Sequence, residues 1–200
     1  MTVEATVDEG RRLAILDAAA QLIAERGYHA VRIADIARTA RTSTGSVHYY
    51  FPGKNDVLTR ALRHAVSRAF DRQGAELRKI DSAYERMLRL IDMQLPRIGQ
   101  VRDEWSIWMQ YWAEAIIRPQ LRPAHNEFYA RWRETVVRIV QLGQRQGEFR
   151  KDADAEMVAL QLTALTDGCG IQVLVGAPGM TVSAMREVLV AYVKDNVLSS

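Results

Sequence analysis

Apolar residues recur three and four positions apart along nearly the whole chain, and this helical period constrains the fold more than any other feature. Proline and glycine occur mainly where one such segment stops. The pattern predicts an all-α protein of about nine helices and no strands. Two of the helices are short and lie within residues 33–54. The longer predicted helices span residues 8–26, 55–79, 82–95, 101–117, 119–146, 155–175 and 182–197.

Residues 33–54 predict two short helices joined by a tight turn. Ile33, Ile36 and Ala37 would face inward on the first helix. Val47 and Phe51 would anchor the second. The second helix begins with small polar residues, and such a slim end can approach base edges in the major groove. The spacing predicts a helix-turn-helix. An ordinary capped helical hairpin stays open as the alternative, because Ser and Thr cap helices of every kind.

Wider motifs at fixed spacings surround this segment, namely Glu25-Arg26-Gly27-Tyr28, Asp35-Ile36-Ala37 and Gly45-Ser46-Val47-His48-Tyr49-Tyr50-Phe51. With them, residues 12–62 resemble the N-terminal domain of TetR-family transcriptional regulators. The resemblance implies that the start of the second short helix lies nearest the bases and that three later residues contact the groove or phosphates. The residues concerned are Thr42, Ser43, Thr44 and Gly45 at the helix start, and Tyr49, Tyr50 and Lys54 beyond it.

The turn departs from the pattern of that family, which usually has Gly-Val where this chain has Arg41-Thr42. A left-handed backbone at Arg41 would cost about 1 kcal/mol. A guanidinium contact with a phosphate or a guanine edge could offset this cost. We therefore predict that Arg41 is an additional DNA contact. His48 stands where the family usually has tyrosine, and we expect it to pack against Phe51.

The 200 residues are 48% hydrophobic, which suits one or two compact domains. Residues 11–54 carry a net charge of +4 while the whole chain carries +3, so the basic excess lies in the predicted DNA-binding segment. The expected domains are residues 1–53 for DNA binding and residues 54–200 for ligand binding and dimerisation.

Only one cysteine, Cys169, is present, so an intrachain disulfide is excluded and a reducing cytoplasm is the expected compartment. No signal peptide pattern and no uninterrupted apolar run of membrane-spanning length is visible, so no membrane association is expected. Residues 1–8 are expected to form a frayed tail.

The last two predicted helices are apolar on more than one face, which requires burial on more than one side. A two-fold homodimer paired through these helices satisfies this requirement. A thick monomeric core is the alternative. The TetR resemblance implies the dimer, and Cys169 would then be a small packing residue near the interface.

Large aromatic residues cluster in the middle of the chain, at Trp105, Trp108, Trp112, Tyr129 and Trp132. Such rings usually fill a core, but helical bundles also hold ligands between facing helices. Residues 80–195 are loosely similar to the C-terminal domain of choline-responsive, BetI-type TetR regulators. The resemblance implies a small-molecule effector, cationic or aromatic, bound by these rings through cation–π attraction.

A carboxylate could supply the countercharge for a cationic effector. Three are candidates, namely Asp92, Glu114 and Asp167.

These observations predict a one-component transcriptional regulator, most simply a repressor that binds a palindromic operator as a dimer. A ligand in the body would displace the fourth helix, change the spacing of the recognition helices and release the DNA. A constitutive DNA-binding dimer without an effector is one alternative. A helical enzyme is another, although no phosphate loop, metal-ligand cluster or catalytic set is visible, and neither a cofactor nor a metal is expected.

Overall fold

The computed structural model describes the backbone of residues 3–199 and the side chains of residues 7–199. Within that range the chain forms nine α-helices, one short 3-10 turn and no strand, which confirms the predicted all-α class. The helices are α1 Val3–Arg26, α2 Ile33–Thr39, α3 Thr44–Tyr50, α4 Lys54–Leu77, α5 Ala83–Gln94, α6 Gln100–Ile117, α7 Arg122–Gln146, α8 Ala155–Leu174 and α9 Val182–Asn196.

Side chains at the helix starts explain several of these boundaries. Ser43, Ser82, Asp154 and Thr181 each accept a hydrogen bond from a backbone N–H in the first turn of the helix that follows. At the other end of α1, Gly27 has φ 86°, a left-handed conformation that glycine adopts without strain.

Two local expectations were wrong. The predicted frayed tail is helical from Val3, because nothing before Gly10 breaks the helix and Glu9 pairs with Arg12 at 2.8 Å; residues 1 and 2 lie outside the described range. The seventh helix begins at Arg122, since Pro119 starts a separate 3-10 turn, Pro119–Leu121. One isolated antiparallel bridge joins Phe149 to Leu198.

The chain divides into two compact units, and the division falls within α4, α6 and α7. Unit 1 comprises residues 1–69 and 106–125. In it α2 packs against α1 and α3, and Ile23, Ile36 and Val47 of these three helices are buried. The domain boundary expected between residues 53 and 54 lies inside this unit, because α4 begins at Lys54 and contributes Leu58 and Leu62 to its core.

Unit 2 comprises residues 70–105 and 126–200, and in it α9 packs against α5 and α8. Its core includes the fully buried Met87, Leu90, Leu162, Leu189 and Val193. Burying each such side chain contributes about 1.5–3 kcal/mol to folding, so this apolar layer is the main stabilising term of the unit.

The indole of Trp105 is seated in unit 2 by a close helix approach. Its Nε1 donates a hydrogen bond to the Gln94 carbonyl at 2.6 Å, and its ring lies directly over Gly170 of α8. A Cβ atom at position 170 would lie 2.2 Å from the Trp105 ring. The glycine is therefore required for the indole to reach this position.

We predict that Gly170→Ala lowers the free energy of unfolding by about 1–3 kcal/mol, because the added methyl group overpacks the Trp105 site. Urea unfolding followed by circular dichroism measures this change. Gly74→Ala is the matched control in α4, since a Cβ there would meet only Arg78 Nη1, at 3.5 Å. That variant should gain about 0.5–1 kcal/mol. Equal stability of the two variants would contradict the packing role of Gly170.

Candidate DNA-binding interface and effector site

The predicted recognition helix, α3, is held by local hydrogen bonds at both ends and by two buried apolar residues. Ser43 Oγ accepts a hydrogen bond from the Ser46 amide at 3.0 Å, and the Phe51 amide donates to the Val47 carbonyl at 3.0 Å. Val47 and Phe51 are buried, as predicted. A helix of this kind is held firmly although it is only seven residues long.

Most of the predicted DNA-contacting residues lie on the open side of this motif. Arg41, Ser43, Thr44 and Gly45 are exposed, and 78% of Tyr49 is accessible. Thr42 and Tyr50 are half-buried. His48 is exposed, and its packing against Phe51 stays a prediction.

Arg41 has φ 54°, the left-handed conformation considered from the sequence. The turn is closed by the Thr42 amide, which donates to the Ala37 carbonyl at 2.9 Å. An arginine held in this conformation carries strain of about 1–2 kcal/mol that a glycine would avoid. Because this strained residue is exposed, its side chain is available to contact another molecule.

Two of the predicted phosphate contacts make hydrogen bonds within unit 1. Tyr50 Oη donates to Asp8 Oδ1 at 2.6 Å, and this bond raises the pKa of Tyr50. Lys54 Nζ donates to the His29 carbonyl at 2.8 Å. An ammonium group has three donors, so Lys54 retains donors for a phosphate.

A polar stripe on α6 joins this helix to the end of α1, and the sequence analysis missed its role. The Gln110 amide donates to the Ile23 carbonyl at 2.9 Å, and its oxygen accepts a hydrogen bond from the Tyr28 amide. One turn earlier, Ser106 Oγ lies 3.5 Å from the Ala24 carbonyl. Polar residues four apart in the otherwise apolar stretch 105–117 were the signal that could have found this contact.

Glu114 extends the same stripe and is 3% exposed. Its carboxylate lies 2.8 Å from His29 Nε2 and 2.8 Å from Arg118 Nε. Of the three candidate countercharges, Glu114 is therefore engaged inside unit 1. Asp92 is engaged as well, since Arg186 Nε donates to it at 2.7 Å within unit 2.

The third candidate, Asp167, has a different setting in unit 2. Its Oδ2 accepts a hydrogen bond from Tyr129 Oη at 2.6 Å. Burial raises the pKa of the Asp167 carboxyl, although the bond from Tyr129 and the charge of Arg133 act in the opposite direction. The Arg133 guanidinium lies 5.7 Å from the centre of the Tyr129 ring. The Tyr129 ring and the Asp167 carboxylate thus already attract one cation, the Arg133 guanidinium.

The predicted aromatic residues divide between the two units. Trp105, Tyr129 and Trp132 lie in unit 2, and Trp105 covers Gly170, one helical turn beyond Asp167. Trp108 and Trp112 lie in unit 1, where Trp108 stacks on the His125 ring at 5.0 Å. Trp112 is 38% exposed. A ligand-binding role for all five remains a prediction.

The helices predicted to form a dimer leave an apolar face open in unit 2. We call this the α8 face; it carries Met157, Leu160, Ala164, Gly168 and Val175 at helical spacing. Cys169 is buried, and burial raises the pKa of its thiol, which fits a packing role. By length and mean hydropathy α8 would also suffice to cross a membrane. A helix covered by protein on both sides has the same composition.

Together, a capped short helix with an exposed start, a basic turn before it and a separate helical body define a helix-turn-helix transcriptional regulator. The model of the tetR family of bacterial regulatory proteins matches residues 15–61, and that of the BetI-type transcriptional repressor C-terminal domain matches residues 83–197. The chain belongs to the TetR family of DNA-binding transcriptional regulators, with a ligand-binding C-terminal domain of the BetI type.

Individual relatives agree with this assignment. The regulator BetI of Cronobacter sakazakii is 24% identical over 190 residues, which cover 92% of this chain and 90% of that protein. A BetI of Escherichia coli is 31% identical over 113 residues, but this alignment spans only 56% of this chain and 58% of that relative. A protein of Saccharomonospora viridis, solved in complex with choline, is 47% identical, with a TM-score of 0.88 over 96% of this chain and 100% of that one.

We predict that Arg41→Gly stabilises unit 1 by about 1 kcal/mol, because glycine relieves the left-handed strain, and weakens DNA binding. The salt dependence of binding should fall by about one phosphate contact. Thermal unfolding and fluorescence anisotropy at several salt concentrations measure the two effects. Arg97→Gly, which removes an exposed arginine of unit 2, is the control for net charge. Unchanged DNA affinity and salt slope in Arg41→Gly would exclude a DNA contact at this residue.

Proposed function

We propose that the protein is a cytoplasmic, dimeric, one-component repressor that binds a palindromic operator and releases it when a quaternary ammonium ligand occupies unit 2. The observation that carries the DNA-binding part is the exposed start of α3 next to a strained, exposed Arg41. The proposed base-proximal residues are Thr42, Ser43, Thr44 and Gly45, with Arg41, Tyr49, Tyr50 and Lys54 as groove or phosphate contacts.

DNA binding is tested by fluorescence anisotropy on a duplex from the region upstream of the protein's own coding sequence, with a scrambled duplex as control. Specific binding should weaken steeply as salt rises, because phosphate contacts release counterions. Equally weak binding to several upstream duplexes and to the scrambled duplex would contradict the proposal.

The α8 face supports the proposed two-fold dimer. Its apolar residues are exposed in the single chain, and a C2 axis would bury each copy against the other. In a dimer the two recognition helices can read the two halves of a palindrome. The two-fold arrangement therefore gives both the interface and the operator the same symmetry.

We predict that Leu160→Glu converts the dimer to a monomer, because two carboxylates would face each other in an apolar interface. Size-exclusion chromatography with light scattering gives the molar mass directly. Ile98→Glu is the matched control, since Ile98 is an apolar residue 98% exposed outside this face, and it should leave the dimer intact. A dimeric Leu160→Glu protein would place the interface elsewhere.

We assign the effector cation to Tyr129, Asp167 and Trp105 in unit 2. Tyr129 and Trp105 offer ring faces or edges, and Asp167 offers the countercharge. Arg133 stands near the Tyr129 ring, so an incoming cation would compete with it for the same attraction. The relative from Saccharomonospora viridis, which binds choline, supports choline as the first ligand to try.

We predict that choline binds with a dissociation constant that rises as pH falls through the raised pKa of Asp167, because protonation removes the countercharge. Asp167→Asn should bind about tenfold more weakly, with no such pH dependence. The free energy of unfolding changes in the opposite sense. Because the folded state disfavours the ionised carboxylate, the wild type gains stability relative to Asp167→Asn as pH falls through this pKa. Isothermal titration and urea unfolding measure the two effects.

Asp92→Asn is the control, because Asp92 is held by Arg186 and should not take part in choline binding. If Asp92→Asn weakened choline binding and Asp167→Asn did not, the cation site would have been assigned to the wrong carboxylate.

The signal from ligand to DNA is proposed to run along α6. This helix carries Trp105 in unit 2 and, farther along, Gln110 and Glu114 in unit 1. A ligand that shifts Trp105 would strain the bonds of Gln110 to Ile23 and Tyr28. The fourth helix, which also belongs to both units, would follow and move α3.

A constitutive DNA-binding dimer is the second candidate, favoured only if no effector acts. The two are separated by adding choline to the protein–operator complex: release supports the effector-controlled repressor, and its absence supports the constitutive dimer. A catalytic role is not proposed, since the named relatives are transcriptional regulators.

A further inference from the structure

Unit 2 contains a cavity of about 370 Å³ between α4 and α7, and its chemistry differs from that of a cation site. Its apolar wall is formed by Phe70, Leu77, Leu90 and Trp132. The volume lies within the range of small-molecule sites, about 300–1,000 Å³. Trp132, which the sequence predicted to contact a cation, lines this cavity.

The polar part of the wall is basic. Three arginines and two carboxylates line the cavity, which leaves an excess of one positive charge. Arg131 lies 3.3 Å from Asp71 and 4.9 Å above the Phe70 ring, so its guanidinium is held at the wall. Arg138 pairs with Glu134. Arg78 has no ion-pair partner in the described part of the chain.

Gln73 provides an independent sign of a ligand. Its side chain lines the cavity and the residue is only 8% exposed, yet none of the described residues makes a hydrogen bond with its amide. The amide atoms are not fully enclosed by protein and are accessible at the cavity that the residue lines. A ligand group that accepts a hydrogen bond inside the cavity could therefore pair with this amide.

We infer that the cavity binds a small amphipathic anion, a monocarboxylate with an aliphatic or aromatic body. The ligand carboxylate accepts hydrogen bonds from the Gln73 amide and from the arginines that line the cavity. The apolar body of the ligand lies against Leu77, Leu90 and Trp132. The site does not depend on the proposed choline site, because it uses neither Asp167 nor Tyr129 and selects the opposite charge.

Gly74 allows the cavity to be closed without disturbing the fold. It lines the cavity, and a Cβ atom there would meet only Arg78 Nη1, at 3.5 Å. A longer side chain at this position can therefore enter the space where the ligand body would lie. Because glycine is a poor residue in the middle of a helix, Gly74→Met should also not weaken α4.

The test is isothermal titration of the 200-residue protein with octanoate, with 1-octanol and octylamine as neutral and cationic controls. We expect saturable binding of octanoate alone, weakened about tenfold by Gln73→Leu and abolished by Gly74→Met. Arg97→Gln, outside the cavity, should bind as the wild type does. Circular dichroism melts establish that each variant is folded.

Equal binding of octanol or octylamine, or undiminished binding by folded Gly74→Met, would overturn the inference. Competition separates the two ligand sites. If choline displaced octanoate, the cavity would be the effector site and the inference of a second, anionic site would fail. If octanoate bound normally while choline did not bind at all, the effector proposal would fail and this one would stand.

Discussion

The two hydrogen bonds of the Gln110 side chain are the interaction on which the proposed mechanism depends. They join α6 to the main chain at the end of α1, one at the Ile23 carbonyl and one at the Tyr28 amide. Because a side-chain amide both donates and accepts, one residue bonds to an amide of the loop after α1 and to the Ile23 carbonyl, which also accepts from the Gly27 amide. In the proposed mechanism, a movement of α6 would strain these two bonds and so act on the end of α1.

Sequence reasoning located the elements of the DNA-binding head closely, because its signals are local. The apolar period places Ile36 and Val47 inside, and the left-handed backbone considered for Arg41 is present, with φ 54°. Helix starts were accurate where a capping side chain marks them, as at Ser82 and Thr181. The start of α1 was missed, since no cap or breaker marks the position where that helix begins.

The body shows what a single sequence cannot give. The period of α6 put its aromatic residues on one face, but it could not tell which unit each ring would join, and Trp105 and Trp108 belong to different units. Pairings such as Tyr129 with Asp167, or Glu114 with His29, join residues far apart in the chain and leave no local pattern. Likewise, Asp92, Glu114 and Asp167 were equivalent candidates for the countercharge, and only the structure identifies the partner of each.

The most direct test of the central claim measures release of operator DNA by choline in the wild type and in Gln110→Ala, by fluorescence anisotropy. If α6 carries the signal through Gln110, the variant should bind operator and choline each within about threefold of the wild type but lose the coupling between them. Release of DNA from Gln110→Ala at the same choline concentration as from the wild type would contradict the account.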